Sequence, residues 1–161
     1  MLIAIDPGPT ACGLVAYCPT RRQVTYANAA EPVEDVVEVL TTWHPPHCDV
    51  YIERVQSYGI AGGSLLRTSE VVGRLWQAAR SAGRPVRLIY RREVLRALDV
   101  TGKGNRDTLV RHRLIEQFGG TAKAAKGTKA APGPLHGVSS HSWAALAVAI
   151  AGSLGAGEVV P

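Results

Sequence analysis

Leu2-Ile3-Ala4-Ile5-Asp6-Pro7-Gly8-Pro9-Thr10-Ala11-Cys12-Gly13 is the stretch on which the fold turns. Leu2 to Ile5 is an apolar run that reads as a buried strand, and Asp6 closes it. Pro7 and Gly8 then turn the chain, because proline fixes φ and lacks an N–H while glycine tolerates positive φ. A second apolar strand follows directly, Cys12 to Cys18. An acid at the end of a central strand, beside a bare Gly-rich turn, suits a metal ion or a phosphate. The same acid equally suits an Asx-type turn. On these residues alone both readings stand.

Length and composition narrow the field. With 161 residues, 46% hydrophobic and 19% charged, the chain has room for one domain with a sizeable core. No apolar run approaches the roughly 20 residues of a membrane span, so no membrane partner is expected. No basic, apolar leader precedes the first strand, so a cytoplasmic location is expected. Cys12, Cys18 and Cys48 show no metal-ligand spacing and read as free thiols in a reducing compartment. The net charge of +5 is unevenly spread. Arg84 to Lys129 holds twelve Lys/Arg against four acids, a local charge of +8, and the remainder holds six against nine, −3. A basic half of this kind is an electrostatic footprint for nucleic acid. A plain solvated face is the structural alternative.

Read outward from the opening strand, Gln23 to Ala29 is a third strand, joined to the second by a hairpin at Pro19 to Arg22. Val33, Val36, Val37, Leu40 and Trp43 fall at helical spacing, and His44-Pro45-Pro46 ends that helix. Asp49 to Glu53 is a fourth strand, again closing on an acid. The helix that crosses over before it predicts that this strand runs parallel to the first. Asp6 and Glu53 would then emerge at one edge of the sheet, where α/β proteins build their sites. Ser57 to Gly63 is a glycine-rich loop carrying Tyr58. Ser64 to Ala82 reads as a helix whose wide apolar stripe suits either the core or a dimer seam. Val86 to Tyr90 is a fifth strand, Arg91 to Leu98 a short basic helix, and Asp107 to Phe118 a further helix. Between the last two, Lys103 sits in a turn flanked by glycines. Gly119 to Gly137 shows no apolar period and reads as a mobile surface loop. Ser139 or Ser140 is placed to cap a last helix running to about Ile150, with His141 in its first turn. A flexible tail, 152–161, closes the chain.

Two carboxylates and an imidazole converging on one edge make a divalent-cation site, although each alone has a commoner structural role. The segments IAIDPGPTACGLVAY, VYIERVQSYG, VTGKGNRDTLVRHRL and HSWAALAVAI resemble the signature blocks of RuvC-type Holliday junction resolvases. The likeness spans roughly residues 1–151, and IDPG with a glycine shortly after it is its most specific part. The resemblance implies an α/β, ribonuclease H-like fold with a central mixed five-stranded sheet flanked by helices. The compact length and the GKGN block are most similar to phage or prophage members.

In that family four ligands hold two Mg²⁺ ions, and the resemblance places the first three on Asp6, Glu53 and His141. The fourth falls on Ala144, whose methyl group binds no metal. His136 and Asp107 are the candidate replacements. Such a site implies in-line hydrolysis of a phosphodiester, with hard oxygen ligands for Mg²⁺ and an imidazole that favours tolerance of Mn²⁺. Lys103, Arg54, Arg91, Arg92 and Arg106 are the candidate DNA-binding cations, Lys103 also entering the catalytic set. Tyr58 is the candidate for stacking on unpaired bases. The implied partners are four-way or branched DNA and a second copy of the chain, since a junction with two-fold symmetry needs two matched nicks.

Two alternatives stand beside this reading. One is a branched-DNA-binding protein silent in cleavage, which Ala144 favours. The other is an RNA-directed nuclease of the same superfamily. An actin-like ATP-binding protein also opens on an acid and a hairpin, but needs a larger, two-lobed chain.

Overall fold

The computed structural model describes residues 1–42, 48–57, 59 and 62–159. Trp43, the helix stop at His44-Pro45-Pro46, and Tyr58 lie outside the described residues. Three strands, β1 (Leu2–Pro7), β2 (Ala11–Cys18) and β3 (Gln23–Pro32), form the expected antiparallel meander. Helix α1 (Val33–Thr42) crosses over to β4 (Asp49–Arg54), which pairs parallel with β1. Helix α2 (Gly63–Ser81) leads to β5 (Val86–Tyr90), parallel to β4. Then come α3 (Arg91–Ala97), α4 (Arg106–Gln117), α5 (Ala122–Lys126) and α6 (Ser142–Ser153). Strand β6 (Glu158–Val159) pairs antiparallel with β5 and completes a sheet of order β3-β2-β1-β4-β5-β6.

Strand side chains alternate between the two faces, and this alternation places the site. Ile3, Ile5, Leu14, Val50, Ile52 and Leu88 pack against α1 and α2. Leu2, Ala4, Val15, Tyr17, Tyr51 and Ile89 face the opposite layer of α3, α4 and α6. Continuing the period by one step puts Asp6 and Glu53 on the second face. The register pairs Ile5 with Ile52, so the two acids are lateral neighbours at the same edge.

Helix α6 is apolar around its whole circumference, which is the pattern of a helix enclosed on all sides. Every residue from Ser142 to Gly152 is buried except Ala144, which is half-buried. The helix lies across β1, β2 and β4. Its N-terminus reaches the acids because β2 carries Gly13 opposite Asp6. A Cβ at Gly13 would lie 2.5 Å from the His141 carbonyl oxygen, so only glycine admits the helix here.

Three expectations need correction, and a fourth, open between core and seam, divides between them. The sheet has six strands, not five, because residues of the tail read as flexible add β6 to the free edge of β5. The stretch 119–137 is not structureless: it contains α5, and Ala125 and Leu135 are fully buried against α4 and α6. Neither Ser139 nor Ser140 caps α6 through its side chain; instead Ser142 Oγ accepts from Ser139 N–H at 2.8 Å and donates to Ser139 O at 2.6 Å. The apolar stripe of α2 is largely spent on the sheet, where Val72, Leu75 and Ala79 are buried, and Leu66 is left exposed.

Candidate active site

Asp6 and Glu53 stand at the floor of an open cleft of about 450 Å³. Its walls come from the start of α3 (Arg91), the start of α4 (Asp107, Val110) and the approach to α6 (Ser140, His141, Trp143, Ala144). Ser140, just ahead of the helix, holds a left-handed conformation with φ +37°, costly for a residue with a Cβ. That strain turns the chain so that His141 overhangs the acids. Its Nδ1 lies 3.6 Å from Asp6 Oδ2. Two further depressions share Asp6, one running past Arg54 to Leu65, the other past Pro9 to Ala29 and Ala30. Together they make one groove along the carboxyl ends of β1 and β4.

The carboxylates are held in a costly electrostatic state. Burial pushes the Glu53 carboxyl up to about 7, against the pull of the Arg91 guanidinium and with the help of Asp6 and Asp107 nearby. Asp6 is raised for the same reason, with His141 and Arg91 opposing. Glu53 Oε2 is buried and has no hydrogen-bond partner. Arg91 Nη1, 3.6 Å away, ion-pairs with it beyond hydrogen-bonding distance. The other arm of Arg91 hydrogen-bonds Asp107. A buried carboxylate oxygen without a donor is what a hard cation satisfies.

The donor set fits a hard divalent cation. Mg²⁺ is held by one or two carboxylates and keeps several waters, which Asp6 and Glu53 can supply. Among the described residues, no three His, Cys, Asp or Glu side chains gather closely enough to enclose a metal ion. The position on α6 facing the acids is Ala144, and Asp107 is engaged with Arg91.

The sequence candidates are therefore sorted by position. Asp6, Glu53, His141, Ala144, Arg91 and Asp107 meet in the cleft. His136 is not among the residues that line it; its Nδ1 lies 3.2 Å from the Lys126 carbonyl, inside the 119–137 segment. Arg54 and Arg92 flank the cleft, their guanidiniums 5.0 and 4.8 Å from the centre of the Tyr90 ring. Lys103 and Arg106 are exposed, in the turn before α4 and at its first residue. The glycine that follows IDPG is Gly13, and its place opposite Asp6 gives the physical reason for it. Sequence alone offers Arg91 as a phosphate contact; its place beside Glu53 comes from β5, whose parallel pairing with β4 delivers it to the same edge.

No protein-family model matches the chain, and no curated protein matches it. Solved structures do. A structure of T. thermophilus RuvC in complex with Holliday junction substrate is similar over 99% of this chain and 98% of that one, with a TM-score of 0.62 and 23% identity. A second Thermus thermophilus RuvC structure is similar over 99% of both chains, with a TM-score of 0.59 and the same identity. The fold is ribonuclease H-like. The likeness covers nearly the full length of both chains.

Proposed function

We propose that the chain is a divalent-metal-dependent endonuclease that nicks four-way or branched DNA. The observation that carries this reading is the Asp6–Glu53 pair, side by side on parallel strands, with the buried Glu53 Oε2 left without a donor. A divalent ion there would satisfy that oxygen, lower the pKa of an attacking water and neutralise charge on the phosphate. His141 overhangs Asp6 with its ring largely exposed, in reach of a water on the open side of the cleft. The groove through Asp6 gives a strand a path across the acids. Arg91 and Arg54 line that path with positive charge, and Arg92, Lys103 and Arg106 are the further cations offered to the phosphates, Lys103 from the turn before α4. Branched DNA as substrate is supported by the full-length likeness to a RuvC seen with Holliday junction substrate. Paired nicks on a symmetric junction call for a homodimer, for which the outer face of α2 and its exposed Leu66 are the offered seam.

The test is cleavage of matched junction, flap, duplex and RNA·DNA substrates with Mg²⁺ or Mn²⁺. Preferential nicking of the junction is expected; preference for the hybrid would replace the resolvase reading with an RNA-directed one. Ala144 favours a second reading, a junction-binding protein that does not cut. It predicts tight junction binding with no product in either metal.

A further inference from the structure

The cleft already contains a fixed cation. Arg91 is the first residue of α3, and its backbone is pinned by the helix start: the Tyr90 N–H donates to Glu93 Oε2 at 2.8 Å. The arginines on either side in space, Arg54 and Arg92, are occupied by the Tyr90 ring. Arg91 instead enters the cleft between Glu53 and Asp107. It lines the same cleft as Asp6, His141 and Ala144.

We infer that Arg91 is a catalytic residue that takes the place of a second metal ion, so that the site works with one divalent cation and one guanidinium. This rests on the endonuclease reading. A two-ion site needs a carboxylate for each ion and one that both share. Here the α6 position offers a methyl group, and Asp107, the remaining acid, is spent on orienting Arg91. A second divalent ion would have to displace a guanidinium that two carboxylates hold. An arginine does part of that ion's work directly, because its planar fork matches phosphate oxygens and its charge is permanent. In the step itself a water oxygen bonds to phosphorus as the bond from phosphorus to the 3′-oxygen breaks. The electron pair leaves on the 3′-oxygen, which takes up a proton, and the attacking water gives one up to solvent or to His141. Arg91 makes and breaks no bond. It donates N–H to the oxygen on which charge develops, and Asp107 is its positioning residue.

The experiment counts ions and measures cutting on the same preparations. Electron paramagnetic resonance of Mn²⁺ titrated into the wild type is expected to give one bound ion per protomer, with and without junction DNA. Arg91→Ala is expected to keep that count, with junction affinity within about ten-fold, while cleavage falls further, about 10²–10³-fold, the range for losing one charge-stabilising donor. Added guanidinium should restore part of the loss, and Arg91→Lys should fall between. The double variant Arg91→Ala, Ala144→Asp should bind two ions. Two ions on a cleaving wild type would overturn the inference and leave the endonuclease reading intact. So would an Arg91→Ala protein that cuts undiminished with tighter Mn²⁺ binding, since Arg91 would then be a competitor for the metal. A wild type that binds no Mn²⁺ and cuts nothing removes both.

Discussion

At the scale of single residues, the structure trades stability for a poised site, and Glu53 shows the sign. Its folded pKa of about 7 lies above the ordinary value of 4.5. Between those values the folded protein holds a proton that the unfolded chain has released. The metal-free fold is therefore most stable below about pH 4.5 with respect to this group and loses that contribution as pH rises through 7. The loss approaches about 3 kcal/mol, and Asp6, raised by the same burial, adds in the same direction. Urea unfolding in EDTA should thus show a weaker fold at pH 8 than at pH 5, and Glu53→Gln should flatten that difference. Adding Mg²⁺ or Mn²⁺ at pH 8 should recover stability in the wild type and not in the variant. A metal-free profile indifferent to Glu53 would contradict the burial argument. Asp6→Asn tests the neighbouring acid: cleavage should fall by several orders of magnitude with junction affinity within a few-fold, because the change removes charge at the cation and almost no volume. Retained nicking would take Asp6 out of the chemistry.

At the scale of elements, the site depends on how closely α6 approaches the sheet. Gly13→Ala would drive a Cβ to within 2.5 Å of the His141 carbonyl, and backbone on both sides leaves no flexible atom to yield. The expected result is a folded protein destabilised by about 1–3 kcal/mol, the range for overpacking a filled core. Cleavage should fall far more than stability, since the helix start carrying His141 and Ala144 must lift. Thermal melts alongside junction nicking check this; a normal rate with a normal melt would mean the helix start is free to shift. The same element explains what could be read from the sequence and what could not. Strands β1, β2, β4 and β5 announce themselves as short apolar runs because both their faces are covered, and helices α1, α2 and α4 by period, because each buries one face. Asp6 and Glu53 follow from the parity of those strands. The contribution of α5 is invisible because Ala122 to Lys126 offers only alanines for burial, and Leu135 enters the core singly. Strand β6 is two residues long and exists only because the edge of β5 is there to receive it. The bridging role of Arg91 needs the β4–β5 register, which no single residue reports.

At the scale of the whole molecule, the proposed function asks charge and groove to act together on a polyanion. The basic half of the sequence, Arg84 to Lys129, with its +8 charge, folds into β5, α3, α4 and α5. Arg111 brings part of that charge to the cleft, its guanidinium 5.3 Å from the ring centre of Trp143, a cleft residue. Neutralising phosphates releases condensed cations, so the logarithm of affinity should fall linearly with the logarithm of salt, by about 0.9 per phosphate contacted on duplex arms. If six to ten phosphates are contacted, affinity for a four-way junction should drop by about 10³–10⁵ between 50 and 200 mM salt. Fluorescence anisotropy of a labelled junction in Ca²⁺ measures this without cleavage. Lys103→Gln and Arg106→Gln should each reduce the slope by about one and weaken junction and duplex alike, because a phosphate contact carries no sequence information. Arg91→Ala should reduce the slope by no more than about one, since its charge is aimed at one phosphate only. A salt slope that Lys103 and Arg106 do not move would place the DNA on another face and detach the basic layer from the cleft.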